Sequence, residues 1–378
     1  MTLSSPQIQP RILLAILSLS AGGAERVVSE MANWWASRGH EVAVLTLWEP
    51  EHDHYALAPK IHRISIDFWR KSRTPQQYIA DHVRLLFRIR KTIQAFSPDV
   101  VISFIDLINI IMIATLAGTN IPLVISERID PRYHAISCLR SFARRMSYPF
   151  SSTLVVQTDS VVGWAKKIVP VSKIEVIPNC VRNMPGKGDS SASEVPDGPF
   201  ILAVGRLDRQ KGYDVLIQAF AQVKKTHVQW NLVILGEGPE RSNLWRLTED
   251  LGIHDAVSMP GVVKEPAEWM YKADLFVLPS RYEGFPNALL EAMACGCAVI
   301  AADCPSGPAE IIRHGVNGLL VPRENITALS TAMDRLMQDS NTRQRLSDQA
   351  LKVKETFSQG EIMNRWNALI QKILDRSK

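Results

Sequence analysis

Short, largely apolar runs alternate along the chain with longer stretches in which apolar residues recur every third or fourth position. The runs lie at 12–20, 41–48, 99–104, 122–126, 153–157, 174–178, 200–204, 231–235 and 274–279. Runs of this kind, bounded by turn residues, predict buried parallel strands, and the amphipathic stretches at 24–38, 81–94, 137–148, 213–223 and 361–374 predict helices. Strands alternating with helices imply parallel sheets covered on both faces. The alternation is interrupted at 179–198, where Pro, Gly, Ser and Asp dominate. A first domain is therefore drawn at 1–180, a linker at 181–198, a second domain at 199–360 and a closing helix at 361–378. Each domain opens the same way: strand, glycine-containing loop, helix. Gly22 and Gly23 form the loop in the first, Gly205 to Gly212 in the second. Ligands of open α/β sheets bind beyond the carboxyl ends of the strands.

The densest candidate chemistry lies at 281–297. The strand at 274–279 runs into a loop holding Glu283 and Gly284, then Phe285 and Pro286, and Pro286 predicts the first turn of a helix through Asn287, Ala288, Leu289 and Glu291. Glu291 falls about two turns along that helix. Gly284 allows close backbone approach, and the open N–H groups of Asn287, Ala288 and Leu289 make an anion site at the positive end of the helix dipole. A diphosphate on these donors, with a carboxylate at each end for sugar hydroxyls, accounts for the pattern. The other half lies upstream, where the strand at 200–204 leads into Gly-Arg-Leu-Asp-Arg-Gln-Lys-Gly at 205–212. Arg206 supplies a planar fork for phosphate oxygens and Lys211 a point charge. Gly236, in Gly-Glu-Gly-Pro at 236–239, ends a further strand pattern; it imitates a dinucleotide fingerprint, but the third glycine position is Arg241, and no nicotinamide site is indicated.

These segments resemble the retaining glycosyltransferases of family 4. The resemblance is carried by 205–212, by Gly-Glu-Gly-Pro-Glu at 236–240, by Glu283 to Glu291 with its Gly-Phe-Pro, and by Gly-Pro-Ala-Glu-Ile-Ile and His-Gly-Val-Asn-Gly at 307–318. In the first half, Ser-Ala-Gly-Gly-Ala-Glu-Arg-Val at 20–27 and Ile-Ser-Glu-Arg at 125–128 resemble the bacterial branch that builds O-antigens, exopolysaccharides and glycoprotein glycans on polyprenyl-diphosphate carriers. The resemblance implies the GT-B fold, an α/β architecture of two facing Rossmann-like domains with parallel sheets and a cleft between them, and a last helix that crosses back to the first domain. It implies transfer of a sugar from a nucleotide sugar with retention, Glu283 contacting the donor sugar and Glu291 the ribose. The departing diphosphate is then stabilised by Arg206, Lys211 and the amides after Gly284, and no metal is required as a cofactor. Gly22 and Gly23 would approach the phosphates or the acceptor, or serve only as a tight turn. Many family members carry a histidine near 126–127, where this chain has Glu127 and Arg128. Arginine cannot act as a base at neutral pH; the two are candidates for the acceptor side or a structural ion pair.

Charge adds a partner to this picture. The net charge is +5, with 20 Lys plus Arg against 14 Asp plus Glu in residues 1–178 and 23 against 24 in residues 179–378. The excess gathers on two amphipathic segments. Arg84, Arg88 and Lys91 share a face of one, with Val83, Leu86, Phe87 and Ile93 pointing elsewhere; Arg140, Arg144 and Arg145 accompany Leu139, Phe142 and Met146 on the other. Such helices either lie on an anionic membrane surface or are ordinary surface helices with their apolar residues in the core. No recognition motif points to nucleic acid. With 46% hydrophobic and 21% charged residues the chain is globular, and no run of about 18 apolar residues predicts a membrane span. Five cysteines without a Cys-x-x-Cys pair fit a reducing compartment. The expectation is a cytoplasmic enzyme peripheral to the inner face of the membrane. Its donor would be UDP-N-acetylgalactosamine, UDP-galactose or UDP-N-acetylglucosamine, and its acceptor a glycan, lipid-linked in the favoured case. A soluble transferase acting on a small molecule or glucan, and a non-catalytic scaffold of the same fold, remain open alternatives.

Overall fold

A computed structural model describes residues 9–20, 22–67, 74–134, 136–182, 184, 195–196 and 198–376. Most of the linker drawn at 181–198 therefore lies outside the described residues. The chain divides into two compact units, Met1–Ile177 with Met363–Lys378, and Pro178–Ile362.

Unit 1 contains, in order, β1 (Ile12–Ile16), α1 (Gly23–Ser37), β2 (Val42–Thr46), β3 (His62–Ser65), α2 (Pro75–Phe96), β4 (Val100–Phe104), α3 (Asp106–Leu116), β5 (Leu123–Ser126), α4 (Cys138–Ser147), β6 (Thr153–Val156), α5 (Asp159–Ala165) and β7 (Ile174–Val176). Its strands form a parallel sheet in the order β3-β2-β1-β4-β5-β6-β7, with Leu14 paired to Val44 on one side and Ile102 on the other. Alternate residues point to opposite faces. Leu13, Ala15, Leu45, Val101, Ile125 and Leu154 pack with Leu85, Ile89 and Ile93 of α2 and with Met112 of α3. Ile12, Leu14 and Ile16 are buried as well, so both faces of the sheet are covered.

Unit 2 runs β8 (Phe200–Val204), α6 (Tyr213–Val223), β9 (Asn231–Leu235), α7 (Arg241–Asp250), β10 (Val257–Gly261), α8 (Pro266–Lys272), β11 (Leu275–Leu278), α9 (Asn287–Ala294), β12 (Ala298–Asp303), α10 (Pro308–Ile311), β13 (Leu319–Pro322), α11 (Ile326–Gln338), α12 (Ser340–Ala350), α13 (Val353–Thr356) and α14 (Gln359–Arg376). Its sheet is parallel in the order β10-β9-β8-β11-β12-β13. From Met363 onward α14 belongs to unit 1: Trp366 is buried, Asn367 Oδ1 accepts a 2.8 Å hydrogen bond from Trp35 Nε1, and Lys372 pairs with Glu175.

The amphipathic segments differ from one part of the expectation. In α2 the buried face is Leu85, Ile89, Ile93 and Phe96, while Val83 and Phe87 are exposed beside Arg84, Arg88 and Lys91. Helix α4 is reversed: Leu139, Phe142 and Met146 face solvent, and Arg144, grouped above with the surface cations, is buried. The reason is local. Arg140 Nη1 lies 3.4 Å from the buried Asp106 carboxylate and Arg144 Nη1 lies 3.9 Å from buried Glu127, so two acids at strand ends draw the basic side of the helix inward.

Candidate functional site

Strand order reverses between β8 and β11 in unit 2, and the loops leaving these two strands carry the predicted chemistry. The backbone there is tightly specified. Gly205 has φ +156°, and Tyr213 Oη and the Lys211 stem occupy the space a Cβ would need. Gly212 has φ +67°, and a Cβ there would run into the carbonyl oxygen of Pro279. Gly236 has φ +139° and lies directly against the Gly205 carbonyl. Glycine is the residue that accepts all three conditions.

The loops bring Lys211 and Glu283 together. Lys211 Nζ donates to Glu283 Oε1 at 2.7 Å, and Ser280 Oγ donates to the same oxygen at 2.6 Å. Glu283 is 5% exposed, so the cation and the hydroxyl offset the cost of burying its charge. Asp208 caps the short 3-10 turn Arg209–Lys211 by accepting from Lys211 N at 3.2 Å. Its other oxygen accepts from Arg206 Nε at 2.6 Å. Arg206 itself remains 72% exposed.

Sequence reasoning missed Arg281, which joins the two loops. Its backbone N–H donates to Gln210 O at 2.8 Å, Nη1 donates to Arg209 O at 2.8 Å, and the guanidinium makes a two-pronged pair with Asp214 and a further one with Glu324. Ser280 was missed too. For Arg281 the signal was weak, because its partners lie more than forty residues away along the chain.

Beyond Glu283 the turn enters α9. Pro286 is the N-cap, one residue outside the helix and not within its first turn as expected, because its ψ of 86° is not helical. Asn287, Ala288 and Leu289 are the first three helical residues, whose N–H groups have no intrahelical acceptor by geometry; the first intrahelical bond is Leu290 N to Pro286 O, 3.1 Å. Glu291 is buried in the second turn, closer to the helix start than the sequence suggested. Phe285 is buried against Phe357, and Gly284 stands between Glu283 and that anchor. Lys211, Glu283 and the amides of 287–289 thus belong to one end of one sheet. The arrangement offers fixed positive charge and open N–H donors to an anion, and carboxylate oxygens to hydroxyls.

In unit 1 the order reverses between β1 and β4. Gly22 caps α1, and the Glu25 carboxylate folds over it, so that a Cβ on Gly22 would meet that carboxylate. Burial pushes the Glu25 carboxyl up, against a lowering backbone hydrogen bond. Past β4, Ile105 sits at φ +72°, a strained setting for a β-branched residue. Past β5, Glu127 is buried and accepts from Tyr148 Oη at 2.5 Å; Asn109 Nδ2 donates to Tyr148 Oη at 3.1 Å, and Ser103 Oγ to Asn109 Oδ1 at 2.7 Å. Burial pushes the Glu127 carboxyl up to about 7, against the Tyr148 hydrogen bond and the Arg144 charge. Arg128 is buried also, its guanidinium 4.9 Å from the Phe104 ring centre and 5.8 Å from that of Trp366. Neither side chain is displayed at the surface of the unit. Arg145 is exposed on α4.

Known proteins share this organisation. Residues 21–182 match the family described as Glycosyltransferase Family 4, and residues 189–353 the one described as Glycosyl transferases group 1. The chain is 30% identical over 364 residues, 96% of its own length and 99% of the other, to a Campylobacter jejuni protein. That protein is the GalNAc-alpha-(1->4)-GalNAc-alpha-(1->3)-diNAcBac-PP-undecaprenol alpha-1,4-N-acetyl-D-galactosaminyltransferase. It is 35% identical over 231 residues to the exopolysaccharide phosphotransferase SCO2592 of Streptomyces coelicolor, a match that covers 60% of this chain and only 24% of that much longer protein. Among solved structures, sucrose-phosphate synthase (tll1590) from Thermosynechococcus elongatus superposes with a TM-score of 0.84 at 20% identity, covering 97% of this chain and all of the other. With both halves matched, a full-length relative at 30% identity and two parallel Rossmann-like sheets, the chain belongs to glycosyltransferase family 4 and has the GT-B fold.

Proposed function

We propose that this glycosyltransferase moves a sugar from a UDP-sugar to a lipid-linked glycan, with retention at the anomeric carbon and no required metal. The observation that carries the reading is the Lys211–Glu283 pair at 2.7 Å beside the open amides of α9. UDP-N-acetylgalactosamine leads the donors because the full-length relative is an N-acetylgalactosaminyltransferase; UDP-galactose and UDP-N-acetylglucosamine follow. When the donor binds, its diphosphate takes Lys211 Nζ, Arg206 and the amides, and Glu283 is left to accept from the sugar hydroxyls. Glu291 accepts from the ribose. The bond from the anomeric carbon to the phosphate oxygen breaks and the electron pair leaves with UDP. The acceptor hydroxyl attacks from the same face, and its proton passes to the departing phosphate oxygen. The cations act on charge that develops only as the bond breaks, which is the interaction that raises a rate.

The acceptor side of the proposal rests on unit 1. Leu139, Phe142, Met146 and Phe150 form a ridge, exposed by 78%, 63%, 57% and 81%. Val83 and Phe87 are exposed on α2 among Arg84, Arg88 and Lys91, and Arg145 is exposed on α4. An apolar ridge and exposed cations in one unit suit an anionic bilayer surface, where a polyprenyl-diphosphate carrier resides. Among the described residues no helix is long and apolar enough to cross a membrane, so attachment would be peripheral, on the cytoplasmic face.

The test is a transfer assay with radiolabelled UDP-sugars and a short polyprenyl-diphosphate-linked glycan, with and without EDTA, on wild type and Lys211→Ala. Transfer that persists in EDTA, gives an α-linked product from the α-linked donor by NMR and disappears in the variant supports the reading. Inversion, or dependence on metal, refutes that part of the mechanism. Equal activity in the variant removes Lys211 from the site.

A further inference from the structure

The chain passes between its units twice, after Ile177 and after Ile362. On the unit 2 side of each passage, one residue grips the turn that carries the proposed diphosphate amides. Asn179 is buried and its Nδ2 donates to Asn287 Oδ1 at 2.7 Å. The ring of Phe357 lies tilted on that of Phe285, with centroids 5.8 Å apart. The two passages are also tied to each other, because Val181 N donates to Phe357 O at 2.7 Å. The turn is held further by Lys211 and Ser280 on Glu283, by Glu283 N donating to Pro305 O at 3.4 Å, and by Gly307, whose φ of +100° leaves room for the Pro286 ring.

Asn287 is the first residue of α9, so the residue whose side chain is held by Asn179 is the one whose N–H opens the row of donors. A phosphate drawn onto that row acts on the same residue that Asn179 grips. The amide–amide hydrogen bond is part-buried, and losing it would leave the buried Asn179 amide without this acceptor, so Asn179 follows Asn287. Phe285 is buried and close-packed, and close-packed rings transmit a displacement and do not absorb it; Phe357 follows Phe285.

We infer that Asn179 and Phe357 are positioning residues that couple nucleoside-diphosphate binding at the 287–289 amides to the two segments by which the chain passes between its units. This rests on the donor-site reading above. Coupling is reciprocal: whatever holds the passages in place raises affinity for the nucleotide by the same factor by which the nucleotide steadies the passages.

The experiment is hydrogen exchange of the full chain with and without UDP, with UDP affinity by calorimetry, on wild type, Asn179→Ala, Phe357→Leu and the ring-preserving Phe357→Tyr. UDP is expected to slow exchange at 287–289 and at 179–182 and 357–362. Asn179→Ala should reduce the UDP-dependent slowing most at 179–182, and Phe357→Leu most at 357–362, the backbone tie between the passages keeping a part of each, with UDP binding weakened about tenfold in both, while Phe357→Tyr behaves as wild type. A merely structural role would speed exchange equally with and without UDP and leave the difference intact, which overturns the inference. Slowing at 287–289 with none in the passages of the wild type also overturns it while leaving the donor site standing, and this arm needs no variant to fold. No slowing at 287–289 removes the donor site, and the inference falls with it.

Discussion

Replacing Glu127 by Gln should make unit 1 more stable above neutral pH, and the structure gives the size of the effect. Glu127 lies past the end of β5 with its carboxyl buried; Tyr148, Arg144 and Asp106 are the titratable or charged groups that act on it. Burial raises its carboxyl from 4.5 to about 7, which means that desolvation outweighs the Tyr148 hydrogen bond and the Arg144 charge together. The folded state therefore holds this proton more tightly than the unfolded chain. The stability it contributes is complete below 4.5 and is lost as pH rises through 7. Between pH 5 and pH 8 the loss is on the order of 2–3 kcal/mol. Glutamine can still accept from Tyr148 Oη and cannot ionise. At pH 5 the variant should be ahead by less than about 1 kcal/mol, because the folded carboxyl is still neutral while the unfolded one, at 4.5, has begun to ionise. At pH 8 the gap should be wider by roughly 2–3 kcal/mol. Urea melts from pH 5 to 8 give the difference between the two proteins at each pH, so other titrating groups cancel. A difference that does not change with pH, or a variant less stable at pH 8, refutes the reasoning. Either result would mean that the Glu127–Arg144 ion pair outweighs burial.

Three further outcomes follow from particular contacts. Lys211→Ala removes the cation on the leaving diphosphate and leaves buried Glu283 with Ser280 as its remaining side-chain donor; initial-rate kinetics should show kcat/KM down by about a hundred- to a thousandfold, with the fold retained by circular dichroism. Gly236→Ala forces a Cβ onto the Gly205 carbonyl at φ +139°, and thermal melts should show unit 2 destabilised by about 2 kcal/mol or more, with weaker UDP binding. Phe142→Asp with Phe150→Asp should cut sedimentation with anionic vesicles at least about tenfold, since charged groups do not enter the acyl boundary, and leave transfer to a short water-soluble acceptor unchanged. Unchanged vesicle binding would remove the ridge from the proposed docking face.

What the sequence revealed and what it hid have physical reasons. Central strands such as β1, β8 and β11 are buried on both faces and read as unbroken apolar runs. Edge strands β3 and β10 need cover on fewer sides; His62–Ser65 carries polar residues, and Val257–Gly261 alternates buried and exposed, so neither stands out. Strand β12 follows α9 after only Cys295, Gly296 and Cys297, and its apolar run merges with that of the helix. At the proposed donor site, Lys211 and Glu283 were legible because loop glycines and the family pattern mark them. Arg281, Asn179 and Phe357 act through partners more than forty residues away, and one-dimensional spacing does not disclose such pairs. Which side of α4 faces inward was undecidable for the same reason: an apolar stripe seeks burial, and only Asp106 and Glu127, placed by two other strands, reverse it.

The two units repeat one layout, yet their strand-order reversals differ in charge, and the difference bears on the roles proposed for them. In unit 2 the loop after β8 carries Arg206 and Lys211, and the helix after β11 opens with bare amides and no acid in its first turn. Lys211 is held by Glu283 and Arg206 by Asp208, so both of these cations are paired with carboxylates. In unit 1 the N-terminus of α1 is occupied by its own Glu25, whose carboxyl burial has pushed up, and α3 opens with the buried Asp106. A helix start already answered by a carboxylate repels a second anion. Gly22 and Gly23 are therefore suited to a turn beside a hydroxyl and not to a diphosphate.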